Sequence, residues 1–334
     1  MYKSKKLVSI ITSGVLSISI LTGCTSESTT PKSSDIKKIG ITQLVEHPSL
    51  DQTKSGFLKA LEDNGYKDGE NIEIDYQNAQ NDNPTSQTIA NNFVNDKKDL
   101  IYAISTPSAQ AAYNATKDIP ILFTAVTDPV EAGLVESLDN NDKNSNITGT
   151  SDFISVDKIV SLIDKLVPSS KKIAVLYSTS EINSKVQVDS LKKIAKEKDL
   201  EIIEKGISSS SEINQAISSI ATKADVLYVP TDNLIVSSMP IIAKIANENK
   251  LPIIASDEGS VKSGALACGG VDYYKLGYKT GEMAVKVLKD EAKISDLKIE
   301  TMDKPVITMN ENVMKNLQIE KPSDINVTLV KTEN

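Results

Sequence analysis

From Ile36 onward the chain alternates short apolar-rich runs with longer stretches whose apolar residues recur three and four positions apart. Runs at 38–42, 72–76, 100–104 and 119–123 predict strands, bounded by turn residues. Between them Leu50, Phe57, Leu58 and Leu61 share a helical face that stops at Gly65, and Ile89, Ala90, Phe93 and Val94 form a second. Segments 108–117 and 130–138 supply two more helices. After the Asn/Asp/Lys-rich loop 139–146 the alternation resumes, with strands at 172–177, 201–207, 226–229 and 252–255 and helices at 157–166, 184–198, 212–222 and 237–249. The end is less regular, with a strand at 265–267, a helix at 273–290 and a last strand at 306–308. Strands separated by helices of about ten or more residues are βαβ units and make parallel sheets. Near-equal numbers of units on either side of residue 150 predict an α/β chain of two Rossmann-like parallel-sheet lobes. A single Rossmann-like enzyme with a long insertion would give a similar count.

Ahead of this alternation, Lys3, Lys5 and Lys6 precede an uncharged run from Leu7 to Leu21. That run is too short and too rich in Ser for a membrane span, which needs ~20 mainly apolar residues, and it reads as an export signal. Leu21-Thr22-Gly23-Cys24 resembles the lipobox of bacterial lipoproteins. The resemblance implies removal of residues 1–23 and a lipid on the Cys24 thiol. Residues 25–35, TSESTTPKSSD, then read as a flexible spacer between lipid and body.

Composition narrows the chemistry. A chain of 334 residues suits two domains of ordinary size. A net charge of −8 argues against nucleic acid and against a polybasic membrane contact. Cys24 and Cys268 are the only cysteines, so with Cys24 acylated no internal disulfide forms. There is no Trp and no Arg; all 37 basic residues are Lys. An anionic ligand group must therefore be held without the guanidinium fork, by backbone N–H groups, hydroxyls, amides or Lys. The richness in Lys, Asn and Ile suggests a low-GC Gram-positive source.

Catalytic patterns are weak. His47 is the sole histidine, and no G-x-S-x-G elbow accompanies it. One His and one unblocked thiol make no His/Cys metal cluster, and no phosphate-binding loop or dinucleotide fingerprint occurs. The expectation is a binding protein without cofactor, metal or catalytic residues. A hydrolase centred on His47 is the enzymatic rival.

In open α/β sheets ligands bind beyond the carboxyl ends of the strands. Hydroxyls and amides dominate those segments in the first half, and Glu181, Asp232, Asp257 and Glu258 stand out in the second. This asymmetry suits a zwitterion. Ser105 and Thr106 open a helix, whose free N–H groups would receive a carboxylate, although either residue could simply be a cap. Asp232 with Asn233 is favoured for an ammonium, its alternative being a turn-forming role; Asp257 with Glu258 is the second choice.

Several of these loops occur together in one known family. Val45-Glu46-His47-Pro48, Asp75-Tyr76-Gln77-Asn78-Ala79-Gln80, Phe123-Thr124-Ala125-Val126-Thr127-Asp128-Pro129, Tyr228-Val229-Pro230-Thr231-Asp232-Asn233 and Val271-Asp272-Tyr273-Tyr274-Lys275-Leu276-Gly277 resemble a family of ABC-transporter substrate-binding proteins. Some of its members bind aromatic amino acids. The match runs from about 38 to 319 and implies the type I periplasmic-binding-protein fold, whose lobes close on a ligand and present it to a membrane permease. Hinge crossings are then expected near 150–151, 270–272 and 292–296. They give a first lobe of 36–150 plus 272–292 and a second of 151–271 plus 296–334.

For an aromatic amino acid, Val45, Pro48 and Val126 would wall the ring on the first lobe, and Tyr177 or Ile182 on the second. Glu46, Gln80 or Asn183 would meet a ring hydroxyl. Thr124, Ala125 and Ser151 complete the expected contacts. The implied protein is a monomer, lipid-anchored through Cys24 outside the cytoplasm, with an amino acid and a permease as partners. A sugar or nucleoside ligand, or a surface-adhesin role, are the alternatives.

Overall fold

The computed structural model describes residues 36–139, 142–302 and 305–332. The signal, Cys24 and the spacer lie outside them. The first lobe begins with β1 (Lys37–Gln43), α1 (Pro48–Asp63), β2 (Ile72–Asn78), α2 (Asn83–Asn95), β3 (Leu100–Ile104), α3 (Thr106–Ala115), β4 (Ile121–Thr124) and β5 (Ile147–Ser151). The second follows with α4 (Val156–Leu166), β6 (Lys172–Ser178), α5 (Ile182–Lys198), β7 (Glu201–Ile207), α6 (Ile213–Ile220) and β8 (Val226–Val229). It continues through α7 (Asn233–Ser237), α8 (Met239–Glu248), β9 (Ile253–Ala255), α9 (Glu258–Lys262) and β10 (Ala267–Gly270). Last come α10 (Tyr273–Leu288), β11 (Glu300–Thr301), β12 (Val306–Asn310), α11 (Glu311–Leu317) and β13 (Thr328–Val330).

The strands form two sheets, in the orders β2-β1-β3-β4-β5-β11 and β7-β6-β8-β9-β10-β12-β13. Among the described residues every strand pairing is parallel except β10 with β12. Each sheet is covered by helices on both faces, so β3, β4 and β8 are buried along their whole length, as two-sided burial requires. The strand order reverses at β1/β3 in the first sheet and at β6/β8 in the second, and a ligand crevice is expected at such points.

Several expectations are corrected. Segment 130–138 is a set of turns, because Asp128 Oδ1 accepts the N–H groups of Val130 and Glu131 and Gly133 takes a left-handed φ of 70°. The helix expected at 237–249 is present as Met239–Glu248, and a short helix at Asn233–Ser237 precedes it. The third passage between lobes comes after Thr301 and before Val306, not at 292–296, because β11 pairs with β5 in the first sheet.

Helix α10 returns to the first lobe and lies along α1 at close range. A Cβ on Gly277 would sit 1.9 Å from the Thr53 carbonyl oxygen, and one on Gly56 would sit 2.0 Å from that of Tyr274. Behind this contact the Phe57 ring stacks on Tyr102 of β3 at 3.8 Å, and the Tyr102 hydroxyl donates to the Thr53 carbonyl. The helices cannot separate enough for a methyl group without unpacking that stack. Gly277→Ala should therefore cost about 2–3 kcal/mol of stability, read as a lower denaturant midpoint; an unchanged midpoint would refute the close packing.

Candidate functional site

A narrow cavity of about 20 Å³ lies between the carboxyl ends of the two sheets. His47, Leu50, Ala125 and Thr127 line it from the first lobe, and Asn183, Thr231, Asp232, Asn233, Val236 and Asp257 from the second. Asp152 and Tyr273, on the first two passages between lobes, complete the wall. Of the residues expected from sequence, Ala125, Asn183, Asp232, Asn233 and Asp257 are at the cavity. Leu50 and Val236 supply apolar wall in place of the expected Val45, Pro48 and Val126.

The other candidates sit elsewhere. Val126 is buried in the first-lobe core, Val45 is half-buried, and Pro48 is exposed at the start of α1. Glu46 and Gln80 are exposed, the former 3.4 Å from the Tyr76 hydroxyl. Thr124 points into the sheet, where its hydroxyl meets Thr150 at 3.0 Å, and Thr150 meets Thr280 of α10 at 2.8 Å. Ser151 Oγ donates to the Thr127 carbonyl and accepts from Phe153 N–H, which shapes the first passage. Half-buried Tyr177 donates to Glu204 at 2.6 Å, and Ile182 packs against the first-lobe core. Glu258 pairs with Lys262 at 3.0 Å on its own helix.

Ser105 and Thr106 are buried at the start of α3, and with Ser108 they present three side-chain oxygens without hydrogen-bond partners. Ser105 holds φ 86° and ψ 160°, a region almost confined to glycine, and Ala125 on the neighbouring strand end holds φ 54°. Of these, Ala125 lines the cavity, whereas Ser105, Thr106 and Ser108 do not.

Four carboxylates are buried here, and among the described residues no Lys lines the cavity. Glu181 accepts Asn233 N–H at 3.1 Å, Leu234 N–H at 3.0 Å and the Asn183 amide at 3.0 Å. Asp232 accepts Ser178 N–H at 2.6 Å and caps α7 through Ile235 N–H at 3.0 Å. These bonds give Asp232 the turn-and-cap role that is its alternative reading. Burial, reinforced by Glu181, raises its pKa well above the usual carboxylate value. Asp257 caps α9 through Ser260 N–H at 2.9 Å.

Asp152 differs. Its Oδ2 accepts from the Tyr273 hydroxyl at 2.9 Å, while Oδ1 has no hydrogen-bond partner. Burial raises its pKa, against the hydroxyls of Tyr273 and Thr127. Asn183 Oδ1 and His47 Nδ1 are likewise buried without partners, so three polar atoms of the cavity wall are left open. Sequence reasoning missed Asp152, although an acid placed directly after the first hinge strand was a usable signal. It weighed His47 only as a catalyst.

The sequence profile of the family described as "ABC transporter substrate binding protein" matches residues 38–332. The chain belongs to this family. The two-lobed architecture is the type I periplasmic-binding-protein fold, which more distant binding proteins share. A tyrosine-binding protein from Clostridioides difficile (strain R20291) is 62% identical over 341 residues, covering 100% of this chain and 98% of that protein. The ligand-free, open structure of a Clostridium difficile substrate-binding protein with adhesive properties is 61% identical. It covers 89% of this chain and 100% of that one, with a TM-score of 0.68. A Streptococcus pneumoniae ABC domain in complex with L-Trp is 35% identical, covers 88% and 100%, and has a TM-score of 0.83. The liganded relative thus superposes better than the open one despite its lower identity. The lobe arrangement of this family member therefore differs from that of the open relative.

Burial lowers the pKa of His47 from its ordinary 6.5, against the nearby Asp257 and Asp51 carboxylates, the Asn233 side chain and Glu181. As pH falls through 6.5 the unfolded chain takes up this proton and the folded one does not, so stability present above 6.5 is lost below it. His47→Asn should remove that loss. Melting temperatures between about pH 7 and pH 5 should fall more steeply for the unsubstituted protein than for the variant, and parallel slopes would contradict this.

Proposed function

We propose that this substrate-binding protein captures an aromatic amino acid, tyrosine foremost, and delivers it chemically unchanged to an ABC permease. The observation that carries the reading is the unpartnered Oδ1 of buried Asp152 in a cavity that no Lys lines among the described residues. An ammonium supplies the missing charge and hydrogen bonds, and Asn183 Oδ1 offers it a second acceptor. The carboxylate is drawn to the first lobe, where α3 opens with free N–H groups and the unpaired hydroxyls of Ser105, Thr106 and Ser108. Leu50, Val236 and Tyr273 offer apolar surface to a ring. The 62% identical tyrosine-binding relative supports tyrosine, and the L-Trp complex supports the aromatic class.

A ligand that touches both lobes makes more contacts in the closed form and so shifts the equilibrium toward it. The protein then acts by changing shape and performs no catalysis. A lipid on Cys24 and the spacer 25–35 hold it at the membrane beside its permease. A second, compatible role in surface adhesion is supported by the adhesive properties of the 61% identical relative.

Titration calorimetry against the twenty amino acids tests the ligand: tyrosine should bind with micromolar or better affinity, and absence of heat with any aromatic amino acid ends the reading. Asp152→Asn should weaken tyrosine about 100-fold, whereas Glu46→Gln, at an exposed position, should leave affinity unchanged. Cys24→Ala should release the protein into the culture medium with ligand binding intact; retention in the membrane fraction would refute the anchor.

A further inference from the structure

Helix α1 of the first lobe and α9 of the second meet beside the cavity, at the only buried side-chain hydrogen bond described between them. Ser49, in the first turn of α1, donates its hydroxyl to Asp257 Oδ1 at 2.6 Å, and both side chains are buried. Asp257 is held ready by its own lobe, with Ser260 N–H on Oδ1 at 2.9 Å and Ser260 Oγ on Oδ2 at 2.5 Å. The acceptor therefore keeps its position whether or not the other lobe is near.

The approach also depends on Gly259. A Cβ there would lie 3.0 Å from Ser49 Oγ, 3.1 Å from Pro48 Cβ and 3.0 Å from Asp257 Oδ1. Its φ lies outside the left-handed region, so the closeness of Pro48 and Ser49, rather than backbone conformation, calls for glycine. Ser49 itself does not line the cavity. The contact joins protein to protein and is complete without any ligand atom.

We propose that Ser49 and Asp257, with Gly259 making room, form a catch between the lobes that slows opening. Ser49 and Gly259 are positioning residues: they act on the lobe arrangement and not on the ligand. The inference goes beyond the ligand reading and holds for whichever amino acid closes the cleft. Because the catch exists only in the closed form, its loss shifts the open–closed equilibrium and appears in release rather than capture.

The test uses tyrosine, or whichever amino acid binds tightest in the calorimetric series. Chase of bound radiolabelled ligand should show Ser49→Ala releasing it about tenfold faster, with the association rate within about twofold. Gly259→Ala should act in the same direction through crowding, and small-angle X-ray scattering of the ligand-free variants should shift toward the more open form. Release rates and scattering curves that match the unsubstituted protein in both variants overturn the catch. Failure of every aromatic amino acid to bind overturns the ligand reading alone, because the release and scattering comparisons still decide the catch.

Discussion

The cleft of this protein is organised around the cost of burying negative charge without a cation. Glu181, Asp232, Asp257 and Asp152 are withdrawn from water, and among the described residues the wall around them contains no Lys. An unpaired carboxylate in such a place is expensive, so each must collect hydrogen bonds or change its protonation. Glu181 and Asp232 take backbone N–H groups at the start of α7, and Asp257 does the same at α9. Those bonds fix three loops of the second lobe at the strand ends. Asp152 is the member whose demand is left half-met, with Oδ1 unpartnered.

The scaffold behind these loops is rigid for reasons of close approach rather than cross-linking. Cys268 is buried as a free thiol, and burial lifts its pKa far above the usual range. Order comes from glycine-mediated contact between α1 and α10, from the Phe57–Tyr102 stack, and from the hydroxyl chain Thr124–Thr150–Thr280. The chain of hydroxyls joins β4, β5 and α10, so it ties the strand ends that face the cleft to the helix that follows the second hinge passage. Strain at Ser105 and Ala125 is borne on that support.

Much of the architecture was legible in the chain. Long periodic helices and apolar strands fixed the two-sheet plan because their burial pattern is local. Two features were not legible. β11 is only Glu300 and Thr301, too short to carry a pattern, yet its pairing with β5 moves the last lobe passage. The other was the choice among acids. Asp232 and Asp152 are both strand-end aspartates in sequence, and only three-dimensional hydrogen bonding distinguishes one that takes a backbone N–H on each oxygen from one with an unpartnered oxygen. Thr124 failed for a related reason: strand alternation decides which face a hydroxyl takes, and here it faces the sheet core.

The return of α10 and β11 to the first sheet has a consequence for how the chain is made. The first core contains Val271, Tyr273, Leu276, Met283 and Ile294 together with residues of β1 and β3. The second core draws on Met309 and Val313. A nascent chain therefore cannot finish its amino-terminal half when that half has emerged, because its closing helix is still unsynthesised. Both halves are completed only near the end of translation, with long loops to close. Neither core can therefore close until residues beyond 270 are available.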